Sequence, residues 1–133
     1  VQRLPLNRGE LAAIFLGGAV GALARVGLEE AFATGAGNWP WVTFAINISG
    51  SFVLAYLAAR LLEEAGSRYS FALLAPGFCG TYTTFSTMQL EILAMLDHER
   101  YGLAAGYALA SVGAGYAAIR AGMSLGRRGG ITR

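Results

Sequence analysis

Three sets of polar residues recur at fourfold spacing within otherwise apolar sequence: Thr43, Asn47 and Ser51; Thr83, Thr87 and Glu91; and Tyr107 with Ser111, continued by Gly115. On a helix that spacing puts each set on one face, and Phe85 and Met88 share a face beside the second set. Apart from the acid, these groups are neutral donors. A hydroxyl supplies one hydrogen and the Asn47 amide supplies two. Phe85 adds a donor of another kind, because the edge of its ring is electropositive. A lining of this type can replace the water shell of a small anion without trapping it, as conduction demands. A fixed arginine in the narrowest part would hold the anion too long. The other use for any one hydroxyl is a bond between helices, worth only about 0.6 kcal/mol on average.

The second set sits in the run Gly77-Phe78-Cys79-Gly80-Thr81-Tyr82-Thr83-Thr84-Phe85-Ser86-Thr87-Met88. Gly77, Gly80 and the threonine pair are able to unwind a helix for a few residues. Unwound backbone is tolerated at membrane depth only where it is buried in protein or lines a cavity. Its freed carbonyls then suit small hard cations. A simple glycine kink is the other reading, and the residues alone leave both open. Arg25 is the one arginine set in the apolar first segment; it either snorkels to an interface or lines a wet vestibule, where it would concentrate anions.

Four long apolar segments must position these groups. The 133 residues are 55% hydrophobic and 14% charged, against roughly 25% charged in soluble domains, and the mean hydropathy is +0.49. A hydrocarbon core of about 30 Å needs roughly 20 apolar residues per helix, and the segments 11–33, 39–62, 71–96 and 101–125 meet that length. We therefore expect an all-α integral membrane domain of four transmembrane helices, the third broken near its middle, with a polar mobile tail at 126–133. Short connections imply antiparallel neighbours. Trp39, Trp41, Tyr69 and Tyr101 stand at segment ends, where amphipathic rings favour the headgroup layer. Gly17 with Gly21, and the row Gly102, Gly106, Ala110, Ala114, Ala118 and Gly122, provide the small faces that let helices approach closely in lipid.

Several function classes drop out. A net charge of +2, with scattered arginines and no lysine, does not suit nucleic acid. Cys79 is the only cysteine and His98 the only histidine, so neither an intrachain disulfide nor a cysteine-based zinc cluster is expected. His98 reads as a solvated loop residue. Residues 1–10 are polar and carry no small-residue cleavage site, so no cleavable signal is expected. An enzyme is not expected, since no nucleophile–base pair is apparent.

Taken together, the motifs resemble the Fluc (CrcB) fluoride channels. Gly17-Gly18-Ala19-Val20-Gly21 with Arg25 is similar to the first-helix motif of that family. Thr43-Phe44-Ala45-Ile46-Asn47 followed by Gly50-Ser51-Phe52 is similar to the second. Gly77-Phe78-Cys79-Gly80 with Thr83-Thr84-Phe85-Ser86-Thr87, then Glu91, is similar to the third and most specific one. The resemblance implies a passive, fluoride-selective channel that exports fluoride across the cell (plasma or inner) membrane. It implies a dimer of antiparallel subunits with two pores between them. It also implies a structural sodium ion at the dimer centre, held by the backbone carbonyls of Gly80 and Thr83. By motif position Asn47 and Phe85 are pore residues, and Ser86, Thr87 and Thr43 belong to the polar track; Tyr107, Ser111 and Glu91 join them as expected pore residues, with Arg25 in the vestibule. The family usually places a second phenylalanine where this chain has Met88, which is apolar and polarizable but has no electropositive ring edge. Gly115 likewise replaces a frequent hydroxyl.

The charges run against free insertion both ways. Arg3, Arg8, Arg60, Arg68, Arg127, Arg128 and Arg133 belong to the side of the termini, and Arg100 to the other, so the positive-inside rule predicts cytoplasmic termini. The expected partner is a second copy or an oppositely oriented homologue. Two other readings are a small proton-coupled cation or multidrug exporter, for which Glu91 is the only deep acid, and a non-conducting helical assembly subunit.

Overall fold

A computed structural model describes residues 6–61 and 68–128, and these are helical almost throughout. Leu62, the charged turn at 63–67, Arg3 and the tail residues 129–133 lie outside the described residues. The helices are α1 (Arg8–Ala31), α2 (Trp41–Leu61), α3 (Arg68–Ala72), a π-helical turn (Leu73–Cys79), α4 (Gly80–Tyr82), α5 (Phe85–Asp97) and α6 (Tyr101–Arg128). Three of them, α1, α2 and α6, are long and apolar enough to cross a membrane.

Local chemistry sets the ends. Asn7 caps α1: its side chain accepts from the Glu10 amide at 2.8 Å, and its own amide donates to Glu10 Oε2 at 2.9 Å, which together form a capping box. Arg68 at the start of α3 grips the same carboxylate, with Nη2 2.7 Å from Oε2. The first helix and the third segment are thus tied together at one end. At the other end Arg100 donates to the Gly37 carbonyl at 3.0 Å and to Asn38 Oδ1 at 2.6 Å, joining the two loops there. Gly37 has φ +76° and His98 lies directly against it, a position that favours glycine.

Small residues decide which helices meet. Gly122 lies against the Phe52 carbonyl and the Ala55 methyl, and Gly126 against Ala59 and Tyr56, so α6 packs along α2. Because Gly126 is a contact residue and not a helix terminator, α6 continues to Arg128, past the end expected at Leu125. Only the later part of the expected α6 row makes this contact; Gly102 and Gly106 face open space. Gly17 and Gly21 seat the backbone of Leu73 and Phe78 against α1. Pro76 lies inside the π-helical turn; its missing N–H and its ring disfavour a regular α-helical turn there. Gly77, expected to unwind the chain, is instead buried against α1, so close to the Ile14 carbonyl and the Gly17 backbone that a side chain would crowd them.

Large apolar side chains such as Phe15, Leu23, Leu109 and Val112 point outward, as suits lipid or a partner chain. The enclosed core is small and sits where α5 and α6 meet: Met95, Ala104 and Tyr107, with Trp39, Phe44, Met88 and Ile92 packed around it.

Gly17→Ala places a methyl group in the Leu73 carbonyl, and we expect a loss of about 1–3 kcal/mol. Gly27→Ala, which meets nothing, is expected to be neutral or stabilising by up to about 1 kcal/mol. Unfolding of both variants in detergent, followed by circular dichroism, checks the contrast.

Candidate functional site

The helical run that begins at Arg68 stops at Tyr82, and Thr83 and Thr84 are extended, with ψ 151° and 119°. Extended backbone inside an apolar bundle leaves amides and carbonyls to satisfy. Asn47 does this. Its Nδ2 donates to the Thr84 carbonyl at 2.9 Å, and its Oδ1 accepts from the Thr84 amide at 2.8 Å. One side chain on α2 therefore pairs both polar groups of Thr84, as a neighbouring strand would.

Thr84 then caps α5. Its Oγ1 accepts from the Thr87 amide at 3.2 Å and donates to Thr87 Oγ1 at 3.0 Å. The two bonds have a shared consequence for the carbonyls before them. In an unbroken helix the amide of Thr84 would donate to Gly80 and that of Thr87 to Thr83. Here the first goes to Asn47 and the second to the Thr84 hydroxyl, so neither Gly80 nor Thr83 keeps its helical donor.

Glu91 collects residues from three helices. Its Oε1 accepts from Thr43 Oγ1 on α2 at 2.5 Å, and its Oε2 accepts from the Tyr107 hydroxyl on α6 at 2.8 Å. Thr43 and Tyr107 are fully buried. The sequence pattern places these three among the pore residues, and the structure does bring them together. It also directs both hydroxyl hydrogens at the carboxylate, so they are not aimed at open space. A cavity of about 230 Å³ opens beside them, lined among others by Glu29, Thr34, Asn38, Thr43, Thr87 and Glu91.

The remaining expected site residues are spread out. Phe85 is 72% exposed, and Ser86 is exposed beside it, both on the outer surface of the chain. Thr87 accepts from Thr84 and keeps its own hydrogen to donate. Met88 is half-buried and packs toward the Tyr107 core. The Ser111 hydroxyl is buried without a partner among the described residues. Arg25 does not line the cavity. Its Nε donates to the Thr81 carbonyl at 3.1 Å, and its Nη1 lies 3.3 Å from Glu29 Oε2, which makes it a strut between α1 and the interruption. Neither snorkelling to an interface nor lining a wet vestibule accounts for that contact.

Sequence reasoning also missed Thr81, whose Oγ1 donates to the Gly18 carbonyl at 2.8 Å, and Glu29, which both pairs with Arg25 and lines the cavity. The i, i+4 spacing of Arg25 and Glu29 was a usable signal for that pair. Trp39 is half-buried and meets the Tyr107 ring at 5.3 Å, edge to face. Trp41 is 66% exposed. Among the described residues no cluster of His, Cys, Asp or Glu could hold a metal.

A protein-family model described as "CrcB-like protein, Camphor Resistance (CrcB)" matches residues 12–123. The chain belongs to this family. The CrcB match takes in most of α1 and the interruption, Asn47 and the Glu91 cluster together. A relative from Mycolicibacterium paratuberculosis, named "Fluoride-specific ion channel FluC 1", is 50% identical over 125 residues, covering 93% of this chain and 95% of that protein. A protein of the same name from Mycobacterium bovis is 46% identical over 125 residues, with the same coverage. A "Fluoride-specific ion channel FluC" from Phenylobacterium zucineum is 41% identical over 116 residues, covering 84% of this chain and 91% of its own length.

Asn47→Ala leaves the buried amide and carbonyl of Thr84 unpaired, and we expect it to destabilise this CrcB-family chain by about 2 kcal/mol or more. Hydrogen exchange at 83–88 is expected to speed up in the same variant. An unchanged exchange rate there would remove Asn47 from the support of the interruption.

Proposed function

We propose that this chain is a passive, fluoride-selective ion channel of a cell membrane, the inner membrane of a bacterial cell, and not an enzyme. The names of its relatives, at up to 50% identity over nearly the whole chain, carry that reading. The site chemistry supports it, because the groups on hand are those that suit a small, strongly hydrated anion: the second amide hydrogen of Asn47, the hydroxyls of Ser86, Thr87 and Ser111, and the ring edge of Phe85.

In this reading the segment from Arg68 to Asp97 is a fourth span, with the extended pair Thr83–Thr84 near mid-membrane. The exposed Phe85 and the exposed Ser86 support a pore between two subunits: a hydroxyl on an outer surface at that depth calls for a cover that is not lipid. The cover is a second, antiparallel copy of the chain. The excess of arginine at the end carrying Arg8, Arg60, Arg68, Arg127 and Arg128 favours one insertion direction, so an oppositely oriented homologue is the second candidate.

A monovalent hard cation fits the interruption, because oxygen ligands are what it needs and the Gly80 and Thr83 carbonyls have lost their helical donors. Sodium held by these carbonyls would supply a fixed positive charge where two interrupted segments face each other. This chain's own residues do the rest. Asn47 fixes Thr84 in the extended state. Thr84 restarts the helix. The restarted helix presents Phe85, Ser86 and Thr87 at fixed heights. Glu91 accepts hydrogen bonds from the Thr43 and Tyr107 hydroxyls and ties α2, α5 and α6 together.

Purified protein in liposomes is expected to release fluoride, followed with a fluoride electrode, and to retain chloride. Release no faster than from empty liposomes would overturn the reading. Met88→Phe puts a ring one helical turn after Phe85, beside the Tyr107 core; we expect its fluoride release rate to change several-fold. An unaltered rate and selectivity would take position 88 off the ion path.

A further inference from the structure

A groove of about 470 Å³ runs between α2 and α6, starting at Ser51, the last residue of the α2 polar stripe, and leading away from Asn47. Its floor and walls are Leu54, Ala55, Ala58, Ala59, Ile119 and Met123, with Ser51 at one end and Arg127 at the other. Alanines at 55, 58 and 59 line it where Gly122 and Gly126 hold α6 close to α2. From Ser51 to Ala59 a helix rises about 12 Å, at about 1.5 Å per residue. That is close to one leaflet's share of a hydrocarbon core about 30 Å thick.

A second cavity of about 560 Å³ continues from the basic end, lined by Arg120, Met123, Ser124, Arg127 and Arg128. The two share Met123 and Arg127, so apolar groove and basic pocket form one surface. Among the described residues none of these three arginines has a carboxylate partner; Arg120 donates only to the Tyr116 hydroxyl, at 3.3 Å. The polarity follows that of a lipid. The apolar end reaches toward mid-membrane and the cationic end stands in the last turns of α6.

We propose that this surface is a binding site for an anionic phospholipid, with one acyl chain in the α2–α6 groove and the phosphate head between Arg120, Arg127 and Arg128. Arginine forks match phosphate oxygens in pairs, and charged heads near a membrane surface each gain from a basic residue. A zwitterionic lipid offers the same chain without the net charge.

The test is native mass spectrometry of the purified full-length chain with phosphatidylglycerol or phosphatidylcholine of matched acyl chains. We expect the anionic lipid to be retained about fivefold or more over the zwitterionic one. R127Q/R128Q is expected to lower retention of phosphatidylglycerol by a similar factor, and R8Q, which removes a charge at the start of α1, is expected to leave it unchanged. A58L fills the groove with all arginines intact and is expected to lower retention as well. If A58L fails to fold, as judged by gel filtration, Ile119→Trp blocks the groove from its rim. Equal retention of both lipids, or an R8Q loss as large as that of R127Q/R128Q, would overturn the site as unspecific charge attraction. Retention untouched by A58L and Ile119→Trp would overturn it in favour of the headgroup alone. A58L that alters oligomeric state without altering retention would overturn it in favour of a second copy in the groove. Fluoride release serves as the check on native folding, since none of these residues lies on the proposed path.

Discussion

A backbone amide or carbonyl without a partner costs several kcal/mol in hydrocarbon, and in this chain that constraint is concentrated on Thr84. The Asn47 side chain meets it with two bonds, at 2.8 and 2.9 Å. Much else is downstream of that pairing. With Thr84 held extended, its hydroxyl is placed to cap α5, and capping sets the rotation of α5. The rotation places Phe85 outward, Met88 toward the core and Glu91 against Thr43 and Tyr107. An aliphatic residue at position 47 would leave the helix either continuous or unsatisfied, and in both cases the wall around Glu91 would not assemble as it does.

A second set of constraints comes from absent side chains. Gly17 and Gly21 admit the backbone of the third segment, and Gly122 and Gly126 admit that of α2. In lipid there is no hydrophobic drive to bring helices together, so contact distance matters more than apolar area. The result is a thin molecule with few enclosed side chains and many large outward-facing ones. Such a chain is stable in a bilayer and suited to lying against a partner.

The polar stripes were legible in the sequence because helix periodicity is strong in apolar surroundings. Thr43, Glu91 and Tyr107 could be placed on three faces, and the structure brings those faces together. The interruption was legible as a region but not in its details. Gly77, Gly80 and the threonine pair all suggested unwinding there, whereas Gly77 serves close packing, Gly80 stays helical, and the extended residues are the pair, Thr83 and Thr84. Which atoms a polar residue bonds was not legible: Asn47 reads as a donor toward an ion, and half of its capacity goes to the main chain. Arg25 likewise reads as a charge seeking water, yet it bonds the Thr81 carbonyl and Glu29. Spacing reveals faces, and it does not reveal which partner on the opposite element wins.

The widened turn at Leu73–Cys79 sets a length rule for the gene. Each residue in a helix turns the chain by about 100°, and everything after this turn inherits its phase. With one residue fewer between Leu73 and Cys79, Thr81 would swing off the Gly18 carbonyl and Thr84 off Asn47. Within this stretch, then, the number of residues is held as firmly as the missing side chain of Gly77.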